Sequence, residues 1–318
     1  MPKLSWSDQS KEMTMQTSHN LLAAALIVAL AVTTAQAQPT PKAMTTTDIA
    51  APSKGTEGIV KLTDSSIEYF SRGEGEAIVL LPGGTLTVGY LDGLADALAK
   101  AGYRVVGINF RGSGKSTGTS EGVTLQTFAD DVAGVVKALK LGPVHMAGND
   151  FGNRVARTFA ATHPELTRSV ILLAAGGKIP PKPDAARALG VIFNPASTEP
   201  DILAVMNYLV ANQADAARVW GIFKISLDPR VAGIQAAAAK ATPLEAWWAP
   251  PGKTKYLILQ GANDLIAPPE NGVELQKELG DRATLINVPG AAHLLPLEQP
   301  ETTASQMLSF IRQLGRTP

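Results

Sequence analysis

The alternation of short apolar runs with amphipathic segments constrains the fold of this chain more than any other feature. Four runs are almost continuously apolar, as expected for strands buried on both faces: Ala77–Gly83, Tyr103–Phe110, Ser169–Gly176 and Lys255–Gly261. Helical periodicity occurs between them, for instance over Leu125–Leu139. Strands that alternate with helices predict an α/β fold, with a mostly parallel sheet covered by helices on both faces. In such a sheet the functional groups lie at the carboxyl ends of the strands.

This alternation is interrupted once, between Lys178 and Lys253. The segment is rich in alanine and has helical spacing of apolar residues, as in Ile202, Val205 and Leu209. It predicts a helical cap over residues 178–253. The cap would follow the sixth predicted strand, because three further strands are predicted near Gly58–Leu62, near Ser66–Ser71 and from Val144. Residues 58–177 and 254–318 would then form the core.

The N-terminal region resembles an export signal. Leu21–Val32 is an apolar run followed by Ala35-Gln36-Ala37, a small-x-small pattern typical of a cleavage site. The run is shorter than the roughly 20 residues of a membrane-spanning helix. We therefore expect a signal peptide over residues 1–37, export to the periplasm or medium, and no stable membrane span after processing. Acidic residues Asp8 and Glu12 precede the run, so a membrane anchor or a cytoplasmic tail stays an alternative. Residues 38–57, rich in Thr, Pro, Ala and Lys, predict a linker.

Composition excludes several functions. The 318 residues carry a formal net charge of zero, which favours no nucleic-acid partner. Cysteine is absent, so the chain has no thiolate nucleophile and no zinc–thiolate site. No cofactor or metal is expected, and the oligomeric state is left open. Arg111–Ser116 ends like a phosphate-binding loop, but Asn109 stands where its first glycine is required, which argues against nucleotide binding.

Three short motifs follow predicted strands in a fixed order. They are GNDFG at 148–152, GAND at 261–264 and PGAAH at 289–293. Their order of nucleophile, acid and histidine resembles that of the α/β-hydrolase fold superfamily. With Asp150 at the centre of the first motif, the chain looks like the branch with an aspartate nucleophile, which includes epoxide hydrolases and haloalkane dehalogenases. The match extends over nearly everything from Gly58 onward.

This resemblance implies a role for each motif residue. Asp150 would be the nucleophile, His293 the base, and Asp264 the carboxylate that orients the imidazole. The backbone amides of Phe151 and Gly84 would bind the oxyanion.

The motif also fits the geometry of a nucleophile elbow, where the residues two positions either side of the apex must have almost no side chain. Gly148 and Gly152 meet that requirement. Pro82 departs from the family, which often has histidine there, and this puts the shape of the adjoining loop in question.

A carboxylate nucleophile suits saturated carbon. Asp150 would be ionised at neutral pH without a base, since the reference pKa of aspartate is about 3.9. Attack on an ester would give an anhydride at least as reactive as the ester, whereas attack on an alkyl carbon gives a stable alkyl–enzyme ester. We therefore expect an epoxide or haloalkane hydrolase whose partners are a small hydrophobic substrate and water.

The leaving group is not determined by sequence. Epoxide hydrolases typically use two cap tyrosines, and the predicted cap has only Tyr208. Dehalogenases typically have tryptophan directly after the nucleophile, where this chain has Phe151. Candidate pocket residues are Asn149, Tyr208, Trp220, Trp247 and Trp248.

Other functions stay open. The protein could be an ester hydrolase or a catalytically altered member of the fold, in which Asp150 only bonds the helix amides. It could also be a non-enzymatic binder of a small hydrophobic ligand. Retention of both Asp264 and His293 argues against a binder, since a binder needs no oriented base.

Overall fold

A computed structural model describes residues 55–315 of the chain. The predicted signal peptide and the linker up to residue 54 lie outside these residues, so both stay predictions. Within 55–315, no helix is both long enough and apolar enough to cross a membrane.

The described residues form a nine-stranded, mostly parallel sheet. The strands are β1 (Thr56–Lys61), β2 (Ser65–Arg72), β3 (Ala77–Leu81), β4 (Arg104–Ile108), β5 (Thr117–Gly118), β6 (Val144–Asn149), β7 (Thr167–Leu173), β8 (Lys255–Gly261) and β9 (Ala283–Val288). Their order is β1-β2-β4-β3-β6-β7-β8-β9, and β5 pairs with β2. The pairs that involve β2 are antiparallel, and every pair from β4 to β9 is parallel.

Ten α-helices accompany the sheet within the described range. They are α1 (Asp92–Lys100), α2 (Leu125–Ala138), α3 (Phe151–Thr162), α4 (Pro183–Ile192), α5 (Glu199–Val205), α6 (Ala216–Lys224), α7 (Ala232–Ala241), α8 (Glu270–Leu279), α9 (Leu295–Glu298) and α10 (Pro300–Gln313). The predicted α/β fold class is therefore confirmed.

Alternation along each strand divides the core between the two faces of the sheet. In β3, Ile78 and Leu80 join one apolar cluster, while Val79 and Leu81 join the other. Helices α1 and α10 pack on the first face, and α2, α3 and α8 pack on the second. Because side chains of a strand alternate in direction, a continuous apolar run is what a sheet covered on both faces requires.

One local prediction differs from the structure. Helix α1 begins at Asp92, after a 3-10 turn at Val88–Leu91. The two-residue strand β5 was not predicted, so the helical segment follows the seventh strand rather than the sixth. Thr117 and Gly118 have no apolar periodicity and are exposed, and pairing with β2 alone makes them a strand.

Helices α4 to α7 form the segment that the sequence predicts as a cap. The segment contacts loops at the carboxyl ends of the strands: Leu227 pairs with Leu86 after β3. The Leu294 N–H, after β9, donates to the Leu209 carbonyl at 3.1 Å. Glu298 links the same two regions, because its carboxylate accepts the N–H of both Ala211 and Ala292. The exact boundaries of a cap domain stay a prediction.

Candidate active site

Asp150 occupies a strained turn between β6 and α3. Its φ of 45° and ψ of −109° lie in a region that side-chain-bearing residues rarely adopt. The turn is possible only because its neighbours are glycines: a methyl group at Gly148 would collide with the Gly152 carbonyl oxygen. A methyl group at Gly152 would come within 2.5 Å of the Leu81 carbonyl oxygen. The Asp150 side chain is consequently presented at the carboxyl end of the sheet.

One oxygen of the Asp150 carboxylate is anchored by a backbone amide. The Gly84 N–H donates to Oδ2 at 2.9 Å, and the Phe151 N–H helps to lower the pKa of the same carboxyl group. The Phe151 ring points away, into edge-to-face contacts with Phe110 and Phe128. Both predicted amide donors therefore act on the Asp150 carboxylate, where they would stabilise negative charge.

His293 faces the other oxygen of the same carboxylate. Its Nε2 lies 3.9 Å from Asp150 Oδ1, and its Nδ1 lies 3.0 Å from Asp264 Oδ2. Asp264 is itself fixed, because its Oδ1 accepts the N–H groups of Ile266 and Ala267 at 2.9 and 2.7 Å. The structure thus brings together all three residues that the sequence singles out.

The charges at this site reinforce one another. Burial alone would lower the pKa of His293, but the carboxylates of Asp264 and Asp150 outweigh it and raise the pKa to about 9. Burial acts on Asp150 in the opposite sense, and there His293, the Gly84 N–H and Arg154 hold its pKa below the usual range. In the resting state Asp150 is therefore ionised and His293 is protonated at neutral pH.

The two partners differ in access to solvent. The side chain of Asp150 is 40% exposed, whereas that of His293 is 7% exposed and that of Asp264 is fully buried. A substrate can therefore reach the Asp150 carboxylate, whose Oδ2 accepts the Gly84 N–H. The arrangement can support attack by a carboxylate, or activation of water by a histidine that has lost its proton.

The structure places the candidate pocket residues in different environments. Asn149 is buried, with its Oδ1 accepting from the Tyr90 hydroxyl at 2.6 Å and its Nδ2 donating to the Leu173 carbonyl. These two bonds support the elbow, and a pocket role for Asn149 stays a prediction. Tyr208 is partly buried, and it precedes Leu209, whose carbonyl bonds the His293 loop.

The tryptophans divide between the two faces of the sheet. Trp220 in α6 is buried in the cluster that contains the predicted cap helices, and its ring packs on Phe223. Trp247 and Trp248 enclose the Arg157 guanidinium at 4.5 and 4.8 Å from their ring centroids. Arg157 lies seven residues past Asp150, or about 10 Å along α3. The two rings thus pack on Arg157, and their role in a substrate pocket stays a prediction.

Two residues near the site were missed by sequence reasoning. The Tyr90 hydroxyl accepts the Gly83 N–H at 2.9 Å and so ties the loop after β3 to Asn149 of the elbow. Burial raises the pKa of Tyr90, which keeps this hydroxyl protonated as a donor. Gln235 in α7 accepts the Thr85 N–H at 2.8 Å. Its only sequence signal is an uncharged polar residue in the alanine-rich run AGIQAAAAKA.

Comparisons with known proteins agree with this fold. The family model described as the alpha/beta hydrolase fold matches residues 76–195. A 2-hydroxy-6-oxo-6-phenylhexa-2,4-dienoate hydrolase of Burkholderia cepacia is 28% identical over 281 residues, covering 79% of this chain and 92% of that protein. The enzyme of the same name from Comamonas testosteroni is 27% identical over 271 residues, covering 79% and 93%. A solved esterase from Exiguobacterium antarcticum superposes with a TM-score of 0.68 at 20% identity, covering 81% of this chain and all of that one.

The chain therefore has the α/β-hydrolase fold, and the family model supports a place in that superfamily over residues 76–195. It is a hydrolase, whose reactants are a small molecule and water.

Proposed function

We propose that this hydrolase attacks a saturated carbon of a small hydrophobic epoxide or haloalkane and forms an alkyl ester on Asp150. The observation that carries the proposal is the asymmetry of the Asp150 carboxylate. Oδ2 is held by the Gly84 N–H at 2.9 Å, Oδ1 lies 3.9 Å from His293 Nε2, and the side chain as a whole is 40% exposed. A serine at the elbow would need the histidine to remove its proton, whereas this carboxylate is already charged.

In the first step, Asp150 Oδ1 forms a bond to the alkyl carbon. The bond from that carbon to the halogen or epoxide oxygen breaks, and its electron pair goes to the leaving atom. A halide departs, whereas an epoxide oxygen stays on the substrate and takes a proton from solvent. In the second step, His293 takes a proton from water, and the hydroxide attacks Cγ of the Asp150 ester. The oxyanion then forms on Oδ2 between the Gly84 and Phe151 amides. Its collapse breaks the bond from Cγ to the alcohol oxygen, which takes the proton held by His293. The new carboxylic acid then gives its proton to His293, which restores the Asp150 carboxylate and the imidazolium.

The charge of Asp150 controls the protonation state of His293, so that ester formation precedes the activation of water. Before attack, His293 is protonated because Asp264 and Asp150 raise its pKa to about 9. Formation of the ester removes the negative charge of Asp150, so one of these two influences disappears and the pKa of His293 falls. The imidazolium then loses its proton to solvent more readily, and the neutral ring can activate water. Asp264 keeps the ring oriented in both states.

The contacts of the segment that contains helices α4 to α7 support its role as a cap. Leu227 pairs with Leu86, two residues after Gly84, and the Leu209 carbonyl accepts the N–H of Leu294, the residue after His293. We expect that such a cap bounds the substrate site and selects the substrate.

A single turnover in heavy-oxygen water tests the covalent step. If Asp150 attacks carbon, the product oxygen stays light, and label enters the peptide that contains Asp150. The His293→Ala variant should trap the ester, visible as a mass increase on that peptide. Asp150→Asn is the matched control, since it keeps the shape of the side chain and should form no ester unless its amide hydrolyses.

A second candidate is direct hydrolysis of an ester, with water activated at Asp150. The esterase-like neighbour in structure and the hydrolase names of the relatives favour including it. Under that mechanism, the label appears in the product and none in the peptide. That outcome across epoxide, haloalkane and ester substrates would refute the alkyl–enzyme ester.

A further inference from the structure

Thr85 directly follows the oxyanion donor Gly84 and has an unfavourable backbone conformation. Its φ of 60° lies in the left-handed region, which is uncommon for a β-branched residue. Such a conformation costs of the order of 1 kcal/mol or more and persists only where surrounding contacts hold it.

Both backbone polar groups of Thr85 are bonded to the helical segment between β7 and β8. The Thr85 N–H donates to Gln235 Oε1 at 2.8 Å, and the Thr85 carbonyl accepts the Asp228 N–H at 2.6 Å. Asp228 is fixed in turn, because its carboxylate accepts the Gly114 N–H and pairs with Arg230. The conformation of the loop after β3 is thus determined by Asp228 and by Gln235, which is 150 positions later in the chain than Thr85.

Gln235 makes this bond at a cost in stability. The residue is 4% exposed, and its Nε2 is buried with no hydrogen-bond partner among the described residues. The orientation of the carboxamide is fixed, since only its oxygen can accept from the Thr85 N–H. An orphaned buried donor costs about 1–3 kcal/mol, so packing does not explain a glutamine here.

The bonded end of Gln235 lies close to the reacting carboxylate. A methyl group built on Gly84 would lie 3.3 Å from Asp150 Oδ2 and 3.6 Å from Gln235 Oε1. Gly84 therefore lies between the two side chains, and its N–H is directed at Oδ2. A shift of the Thr85 peptide would move the Gly84 amide with it.

We propose that Gln235 is a positioning residue for catalysis: it holds Thr85 in the left-handed conformation that directs the Gly84 N–H at Asp150 Oδ2. The oxyanion donor is consequently set by a helix of the predicted cap, α7, and not by the core alone. The proposal concerns the direction of the Gly84 N–H, and only the effect of Gln235 on turnover rests on the proposed ester mechanism. Because the Gly84 N–H acts in hydrolysis of the Asp150 ester, loss of the Gln235 acceptor should slow that step.

Gln235→Met tests the geometry directly. Methionine has nearly the same length but lacks the acceptor, so the Thr85 N–H loses its partner. In protein labelled with 15N-glycine, the Gly84 amide resonance should shift, and its hydrogen exchange should accelerate at least tenfold. Gln213→Met is the matched control, because Gln213 is an exposed glutamine of the same segment that bonds the Leu203 carbonyl. An unchanged Gly84 resonance in Gln235→Met would refute the proposal.

Kinetics and a rescue variant distinguish a positioning role of Gln235 from a role in stability alone. Removing an oxyanion donor costs roughly 10²–10³-fold in kcat, so a displaced donor should slow hydrolysis of the Asp150 ester and lower kcat about tenfold or more. The ratio kcat/KM, which reports the steps up to ester formation, should change little. Thr85→Gly should restore the Gly84 resonance and most of the rate in the Gln235→Met background, because glycine adopts positive φ without strain. Failure of this rescue would also overturn the proposal.

The two proposals fail separately. If the Gly84 amide moves in Gln235→Met while the wild-type protein forms no ester, the positioning role stands and the covalent mechanism is wrong.

Discussion

Protonation of His293 should make the stability of this protein fall at alkaline pH. The folded state raises the pKa of His293 from 6.5 to about 9, so the folded chain binds a proton that the unfolded chain has already released. The resulting stabilisation is fully present below pH 6.5 and is lost as the pH rises through about 9. His293→Gln removes the titrating group and should flatten this dependence.

The structure determines how much the protonation of His293 contributes to the free energy of unfolding. One pH unit of difference corresponds to about 1.4 kcal/mol, so the raised pKa corresponds to about 3 kcal/mol. The side chain of His293 is only 7% exposed, so solvent screens its ion pair weakly. The charge of Asp264 acts at 3.0 Å and dominates over that of Asp150 at 3.9 Å. Asp264→Asn should therefore remove most of the pH dependence, and Asp150→Asn a smaller part.

Urea unfolding at a series of pH values from 6 to 10 measures the effect. The free energy of unfolding of the wild-type protein should decline by about 3 kcal/mol over this range, and that of His293→Gln by less than about 1 kcal/mol. His163→Gln is the control, since it removes a histidine at the end of α3, away from the site. Equal declines in wild type and His293→Gln would show that the charges around His293 do not act as described.

Three further outcomes are expected. Gly148→Ala should cost at least about 3 kcal/mol or prevent folding, because the methyl group meets backbone, whereas Gly93→Ala on an open face of α1 should be neutral or slightly stabilising in thermal unfolding. Arg157→Met should lose about 2 kcal/mol or more, since the carbonyls of Gly176 and Trp248 lose their buried donor, while Arg154→Met should cost less. We also propose export with cleavage after Ala37: N-terminal sequencing of protein from the periplasm or medium should begin at Gln38, and an intact Met1 would contradict it.

The fold and the three reacting groups could be predicted because their signals are local. A strand buried on both faces must be a continuous apolar run, and β3 and β8 are such runs. An elbow must have glycines two positions either side of its apex, which identifies Asp150. The order of the motifs then places His293 and Asp264 at neighbouring strand ends.

Environments and long-range partners were decided by the tertiary structure alone. Nothing in the sequence around Trp247 and Trp248 shows that their rings close on Arg157, because that contact depends on how the chain returns to α3 after the helical segment. Gln235 likewise meets Thr85 across 150 positions of sequence. The periodicity of apolar residues predicts which side chains of a strand or helix are buried. It does not predict which distant backbone group a buried polar atom bonds, because that partner depends on how several elements pack together.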